Sequence, residues 1–222
     1  MKNILLLGVL LLSLNFCEAQ FQKGQKLLGG QIGAVASSQE TAFSNSGYTQ
    51  NTFLNLNLSL SKFKSPLVAN GFGLVYGYNY NHADNNNPPL EQRSYQHAIG
   101  IFINKTRLVP LARKLDLALT GTGGINYIFG KRTYVMSGST SDLKAINPYL
   151  SGSLGVWYQL GQRLLLTCDF SNLLSLQYTH ATTELHSTNS SRSENNNNFN
   201  LNAGLSNAQF GGLMIGIRYV LK

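Results

Sequence analysis

Chemistry could reside in a short set of residues: four histidines, one cysteine beyond the first 20 residues, and three charged side chains set in otherwise uncharged alternating stretches. His82, His97, His180 and His186 show no metal-ligand spacing, and most lie in polar, turn-rich segments. They read as surface histidines. Cys168 follows Leu164 and Leu166 and precedes Phe170 at every second position, which makes it a small apolar wall residue and not a nucleophile. No nucleophile elbow, phosphate loop or paired-carboxylate motif is present. The sequence therefore points to no catalytic residue, no metal and no cofactor. Asp116, Asp169 and Arg218 stand apart, because each lies on the polar side of an alternating segment. A charge enclosed on such a face needs a partner, since an unpaired buried charge is costly. These three are the candidates for an internal ion-pair network.

Whether they can meet depends on the segments that carry them. The organising one is GFGLVYGYNYN, residues 71–81. Phe72, Leu74, Tyr76, Tyr78 and Tyr80 occupy every second position, and Gly71, Gly73, Val75, Gly77 and Asn79 fill the gaps. A β-strand sends successive side chains to opposite faces, so this segment has one bulky apolar face and one small or polar face. A strand tilted near 45° needs roughly 9–11 residues to cross the apolar core of a bilayer. This one is long enough. In a membrane barrel the bulky face meets lipid and the gaps line the lumen.

The same alternation recurs along the chain over residues 26–37, 51–61, 95–104, 115–128, 149–160, 164–178 and 199–222. The last span is longer than a crossing requires and is predicted to be one strand with an irregular middle at 206–212. A hairpin there would make nine strands, and single-chain bacterial barrels have even numbers. The connections alternate between long polar loops, over residues 38–50, 82–94, 129–142 and 179–197, and shorter ones, such as 62–67, 105–114 and 161–163. The prediction is an all-β, eight-stranded antiparallel up-and-down transmembrane β-barrel with short periplasmic turns and long extracellular loops. The 179–197 loop is a low-complexity, Asn- and Ser-rich span that need not pack.

Residues 1–19, MKNILLLGVLLLSLNFCEA, combine a positive start, an apolar run too short to span a membrane comfortably, and small residues before a cut ahead of Gln20. They are expected to be a cleaved signal peptide, with residues 20–222 forming a single domain. Only 12% of residues are charged and 43% are hydrophobic. Beyond the signal no apolar run reaches the roughly 20 residues of a membrane helix. One remaining cysteine excludes a disulfide scaffold. The net charge is +8, which by itself would suggest nucleic acid. Its placement argues otherwise. Lys23, Lys26, Lys62, Lys64, Lys105, Arg107, Arg113, Lys114, Arg163, Arg218 and Lys222 all fall at the short-turn end. That is a rim suited to anionic lipid head groups, with no role in nucleic-acid binding.

With these features in place, the chain resembles the small outer-membrane β-barrel proteins of Gram-negative bacteria. The resemblance rests on the signal peptide, the opening strand KLLGGQIGAVASS (residues 26–38), the GFGLVYGYNYN strand and the closing strand GLMIGIRYV (residues 212–220). It implies residence in the outer membrane, contact with outer-membrane lipids, and assembly by the outer-membrane insertion machinery. Chains of this family end on an aromatic residue that the machinery reads, whereas this one ends Tyr219–Val220–Leu221–Lys222. In a bacterial barrel the glycosylation-like triplets at Asn104 and Asn189 are chance matches. Three roles are open: a structural barrel meeting an extracellular ligand through its loops, a small porin-like channel, or a lipid-modifying enzyme that would recruit His97 and several serines, for which their spacing gives no support. The first is expected, because an eight-stranded interior is narrow. The rival fold is an exported soluble β-sandwich or lipocalin-like binder, which would turn its bulky faces inward.

Overall fold

The computed structural model describes residues 21–41, 47–86, 89–135, 137–187, 190–203 and 213–221. The expected signal peptide, the irregular span 206–212 and the terminal Lys222 lie outside them. Every element among the described residues is a strand: β1 (Lys26–Thr41), β2 (Gly47–Ser65), β3 (Val68–Asn86), β4 (Pro89–Ala112), β5 (Leu115–Tyr134), β6 (Ser139–Gln159), β7 (Leu164–Ser187), β8 (Ser190–Ala203) and β9 (Leu213–Leu221). Sequential neighbours from β1 to β7 pair antiparallel. The ring closes through β9, which pairs with β7 on one side and β1 on the other. Where β9 joins β1, over Lys26–Ile32, closure removes the sheet edges that lipid cannot satisfy; above it no ladder joins β8 to β1 among the described residues.

The strand count resolves into eight positions. β9 runs beside the first half of β7, from Leu164↔Tyr219 to Phe170↔Leu213. β8 runs beside its second half, from Leu174↔Ala203 to Ser187↔Ser190. Both are antiparallel to β7, so together they fill one place in the wall, interrupted between 203 and 213.

The faces sort as the alternation predicts. Phe72, Leu74, Ile99, Ile101, Ile103, Leu150, Leu174, Phe199 and Ile217 are exposed on the outside. Ser59, Thr106, Thr167, Asp169 and Arg218 are buried inside. A soluble β-sandwich or lipocalin-like binder would do the reverse. On β4 the outward belt runs ten residue steps from Tyr95 to Lys105. At about 3.3 Å per residue and a tilt of about 45° this projects to about 23 Å, close to the apolar band of a membrane barrel. Its upper edge is an aromatic girdle in which His97 stacks on Phe129 at 5.3 Å between centroids and meets Tyr78 at 5.2 Å.

The connections differ from the expected loops. Hairpin ladders continue through most of 38–50, 82–94, 129–142 and 179–197, reaching Thr41↔Gly47, Asn86↔Pro89, Tyr134↔Ser139 and Ser187↔Ser190. Above the membrane both faces of a hairpin meet water, so the strands lose their polar–apolar period without losing their backbone pairing. Two of the three short turns are also tighter than expected, whereas the one expected at 161–163 spans 160–163. β4 runs through Lys105 and Pro110 to Ala112, with a register shift at Pro110/Ala112, and only Arg113 and Lys114 separate it from β5. Lys105 and Arg107 point outward, while Thr106 and Leu108, which alternate with them, are buried.

Candidate functional site in the barrel lumen

Near the short-turn end the strands carry apolar residues on both faces: Leu27 beside Leu28, Leu165 between Leu164 and Leu166, Trp157 between Val156 and Tyr158. The inward members form one cluster of Phe21, Leu27, Phe63, Ala69, Leu108, Ala118, Trp157, Leu165 and Val220. Phe21 arrives on a short strap ahead of β1. Gly24, with φ of 93°, turns this strap back on itself, a conformation that side chains disfavour. Its N–H then donates to the Phe63 carbonyl at 2.9 Å, and the Phe63 N–H donates to the Gln25 carbonyl at 2.9 Å. Phe21 thereby stacks on Phe63 with centroids 4.4 Å apart. The result is an apolar plug across the short-turn end of the lumen.

Above the plug lies a polar chamber of about 190 Å³, lined among others by Gln31, Asn57, Asn126, Tyr149, Asp169 and Arg218. Its side chains lean over glycines on the neighbouring strands. Arg218 lies across Gly29, Phe102 across Gly73, Asn126 across Gly100, Tyr149 across Gly124 and Asp169 across Gly155. A Cβ at Gly155 would overlap the Asp169 carboxylate. Large side chains thus fill the space that glycines vacate, and an eight-stranded interior has little room left over.

The structure brings two of the three predicted charges into this chamber. Asp169 and Arg218 are 9% and 5% exposed and attract one another electrostatically. Among the described residues, neither is in a direct ion pair. Asp169 accepts a hydrogen bond from the Gln31 amide. Arg218 lies over the Trp157 ring, its guanidinium carbon 4.4 Å from the centroid, and donates to Ser59 Oγ at 3.5 Å. Asp116 lies lower, opposite Trp157 in the β5–β6 register, and its Oδ2 has no hydrogen-bond partner among the described residues. Trp157 against Arg218 and Gln31 on Asp169 are therefore partners that the charge pattern alone could not identify. Their inward parity was legible, but inward parity does not show which side chains touch.

The histidines lie elsewhere. His97 shares a hydrogen bond with the Tyr76 hydroxyl at 2.9 Å in the outer girdle. His82 approaches Glu91 at 3.5 Å, His180 meets Asn197 at 2.7 Å and His186 approaches Asp142 at 3.5 Å, all on the long hairpins. Cys168 is a free thiol, half-buried, at an outward-facing position of β7.

No family model matches the chain, and no curated protein matches it. Among solved structures it is similar to the outer membrane protein OprG from Pseudomonas aeruginosa, with 13% sequence identity, a TM-score of 0.50, and coverage of 92% of this chain and 99% of that one. A major outer membrane protein from Thermus thermophilus aligns at 10% identity with a TM-score of 0.48, covering 89% and 99% respectively. The likeness to OprG shows the fold, an outer-membrane-type β-barrel.

Proposed function

We propose that this chain is an outer-membrane barrel, exported behind a cleaved signal peptide, that serves as a closed scaffold presenting polar β-hairpins at the cell surface. The observation that carries this reading is the apolar plug. Phe21, Leu27, Phe63, Leu108, Trp157 and Leu165 are each at most 3% exposed and close the lumen at its short-turn end. The polar chamber above it is then a filled interior and not a conduit. The hairpins supply the surface: β8 is exposed along nearly its whole length, and its ladder with β7 is tied by side-chain bonds such as Thr182 to Asn195 at 2.9 Å. Such a surface suits contact with a polar extracellular partner. His97, tied to Tyr76 among aromatic rings, fits an interfacial girdle better than a lipid-modifying centre.

Planar-bilayer recording of the refolded protein tests this. A flat baseline is expected. Stepwise conductance from the unaltered chain would replace the scaffold reading with the small channel. A change in lipid A mass dependent on the protein would instead bring back the enzyme.

A further inference from the structure

The outer wall is not evenly convex. A concavity of about 770 Å³ is lined by three consecutive residues from each of five neighbouring strands. One row runs Phe72, Ile103, Gly123, Leu150 and Leu176 across β3 to β7, in direct register. The adjoining rows hold Leu74, Ile101, Ile125 and Pro148 on the outside, and the backbone of Gly73, Phe102, Gly124, Tyr149 and Gln177 between. The walls are well exposed, Ile103 at 69% and Phe72 at 61%. The floor is Gly123, which contributes no side chain. The volume lies within the roughly 300–1,000 Å³ of small-molecule sites.

The next row towards the short-turn end gives the concavity a charged edge. Lys62, Asn70, Lys105, Gly121 and Gly152 lie side by side on β2 to β6 and face outward with the belt. A Cβ at Gly121 would meet nothing within 4 Å, so open space leads from the Gly123 floor to the side of Lys105. The two acids at this end, Asp116 and Asp169, both face the lumen. Among the described residues, the outward cations therefore have no acidic neighbour on their own face.

We propose that this concavity is a specific site for an anionic phospholipid of the periplasmic leaflet. Its acyl chain lies against Ile101, Ile103, Gly123 and Leu150, and its phosphate is held between Lys62 and Lys105, with the Asn70 amide as a further donor. The proposal rests on the reading of the chain as a membrane barrel. Charge complementarity selects the occupant. The groove is apolar where lipid tails would lie, and it turns cationic one register row lower, where head groups would lie. The bare backbone floor forfeits dispersion contacts unless something fills it, whereas convex lipid-facing wall needs only a fluid annulus.

Native mass spectrometry of the refolded protein, delipidated and then offered equal amounts of phosphatidylglycerol and phosphatidylethanolamine, tests the site. The unaltered protein is expected to retain phosphatidylglycerol preferentially. The double variant Lys62→Gln/Lys105→Gln should lose that preference, by roughly 30-fold if both cations hold the head group. Gly123→Leu, which fills the floor and whose Cβ would come within 3.0 Å of the far end of the Leu150 side chain, should lower retention of both lipids. Undiminished phosphatidylglycerol preference in the lysine variant would overturn the proposal, as would unchanged retention in folded Gly123→Leu. Gel mobility of unheated against boiled protein accompanies each sample. A heat-indifferent, detergent-independent soluble protein would sink the membrane reading itself. A heat-modifiable barrel without lipid preference would sink the site alone.

Discussion

Replacing Arg218 with Met and Asp169 with Asn, singly and together, measures how much charge attraction holds the lumen. Both substitutions are close to volume-conserving. Asn keeps an oxygen for the Gln31 amide, and Met keeps an unbranched chain across Gly29. Among the described residues no carboxylate lies within 4.0 Å of the Arg218 guanidinium. Two unit charges 4 Å apart attract by about 4 kcal/mol at an effective dielectric of about 20, and by about 1 kcal/mol in bulk water. At longer range both values fall. A lumen that excludes most water therefore gives a coupling of about 2 kcal/mol, and a flooded one gives well under 1 kcal/mol. The plug below and the Trp157 ring against the guanidinium favour the first value. Trp157 is the chain's one tryptophan, so guanidinium unfolding from detergent micelles can be followed by fluorescence from the site itself. A coupling energy below about 0.5 kcal/mol would refute the reasoning, because the two charges would then be stabilised independently.

Other outcomes follow from the same geometry. Phe21→Ala removes a ring that is 3% exposed and stacked on Phe63, and should cost about 3 kcal/mol while leaving bilayer recordings flat. Channel openings in that variant would mean that the strap alone closes the lumen. Gly155→Ala forces a methyl group into the Asp169 carboxylate and should cost about 1–3 kcal/mol, whereas Gly121→Ala, with open space around it, should shift the unfolding midpoint little. Equal effects from the two would remove the glycine-vacancy account of lumen filling. A short epitope inserted at the β7–β8 tip, between Ser187 and Ser190, should bind antibody on intact cells. Staining that appears only after permeabilisation would invert the orientation of the barrel.

The crossings were legible because each has one lipid face and one lumen face, and a two-residue period survives wherever two different solvents meet a sheet. Phe72, Leu74 and Tyr76 against Gly73, Val75 and Gly77 carry that contrast, and so do Leu117 and Leu119 against Asp116 and Thr120. The contrast disappears at both ends for opposite reasons. Above the belt, in stretches such as Asn195–Asn198, water bathes both faces, so a paired strand looks like a loop. Below the belt, at Leu27–Leu28 and Leu164–Leu166, the plug makes both faces apolar. The lost period at that end was itself the signal of a plug, but it blended into the basic turns that follow. The charged candidates Asp116, Asp169 and Arg218 are all buried. Their separation was not legible, since reach across a lumen depends on which neighbouring positions are glycine.

Glycine parity connects the interior to the wall. Gly29, Gly73, Gly100, Gly124, Gly155 and Gly216 point inward, and each has a large side chain leaning into the space it leaves: Arg218, Phe102, Asn126, Tyr149, Asp169 and Gln31. A narrow barrel needs these vacancies to hold so many large groups without strain. Outward glycines serve no such purpose. Gly30 has Leu58 within 3.6 Å, so lipid never reaches an open hollow there. Gly121, Gly123 and Gly152 are grouped on β5 and β6, and around Gly121 the space is empty. Packing of the lumen cannot explain that group, because none of the three faces it. A leucine at Gly123 would bury more apolar surface against Leu150 and Ile103 at no cost to the interior. If folded Gly123→Leu proves more heat-resistant than the unaltered barrel and at the same time releases its phospholipid, the hollow is a feature that stability alone would have filled. If it proves less heat-resistant, the hollow belongs to the packing of the wall, and the contact between Leu150 and the β5 backbone is what keeps it open.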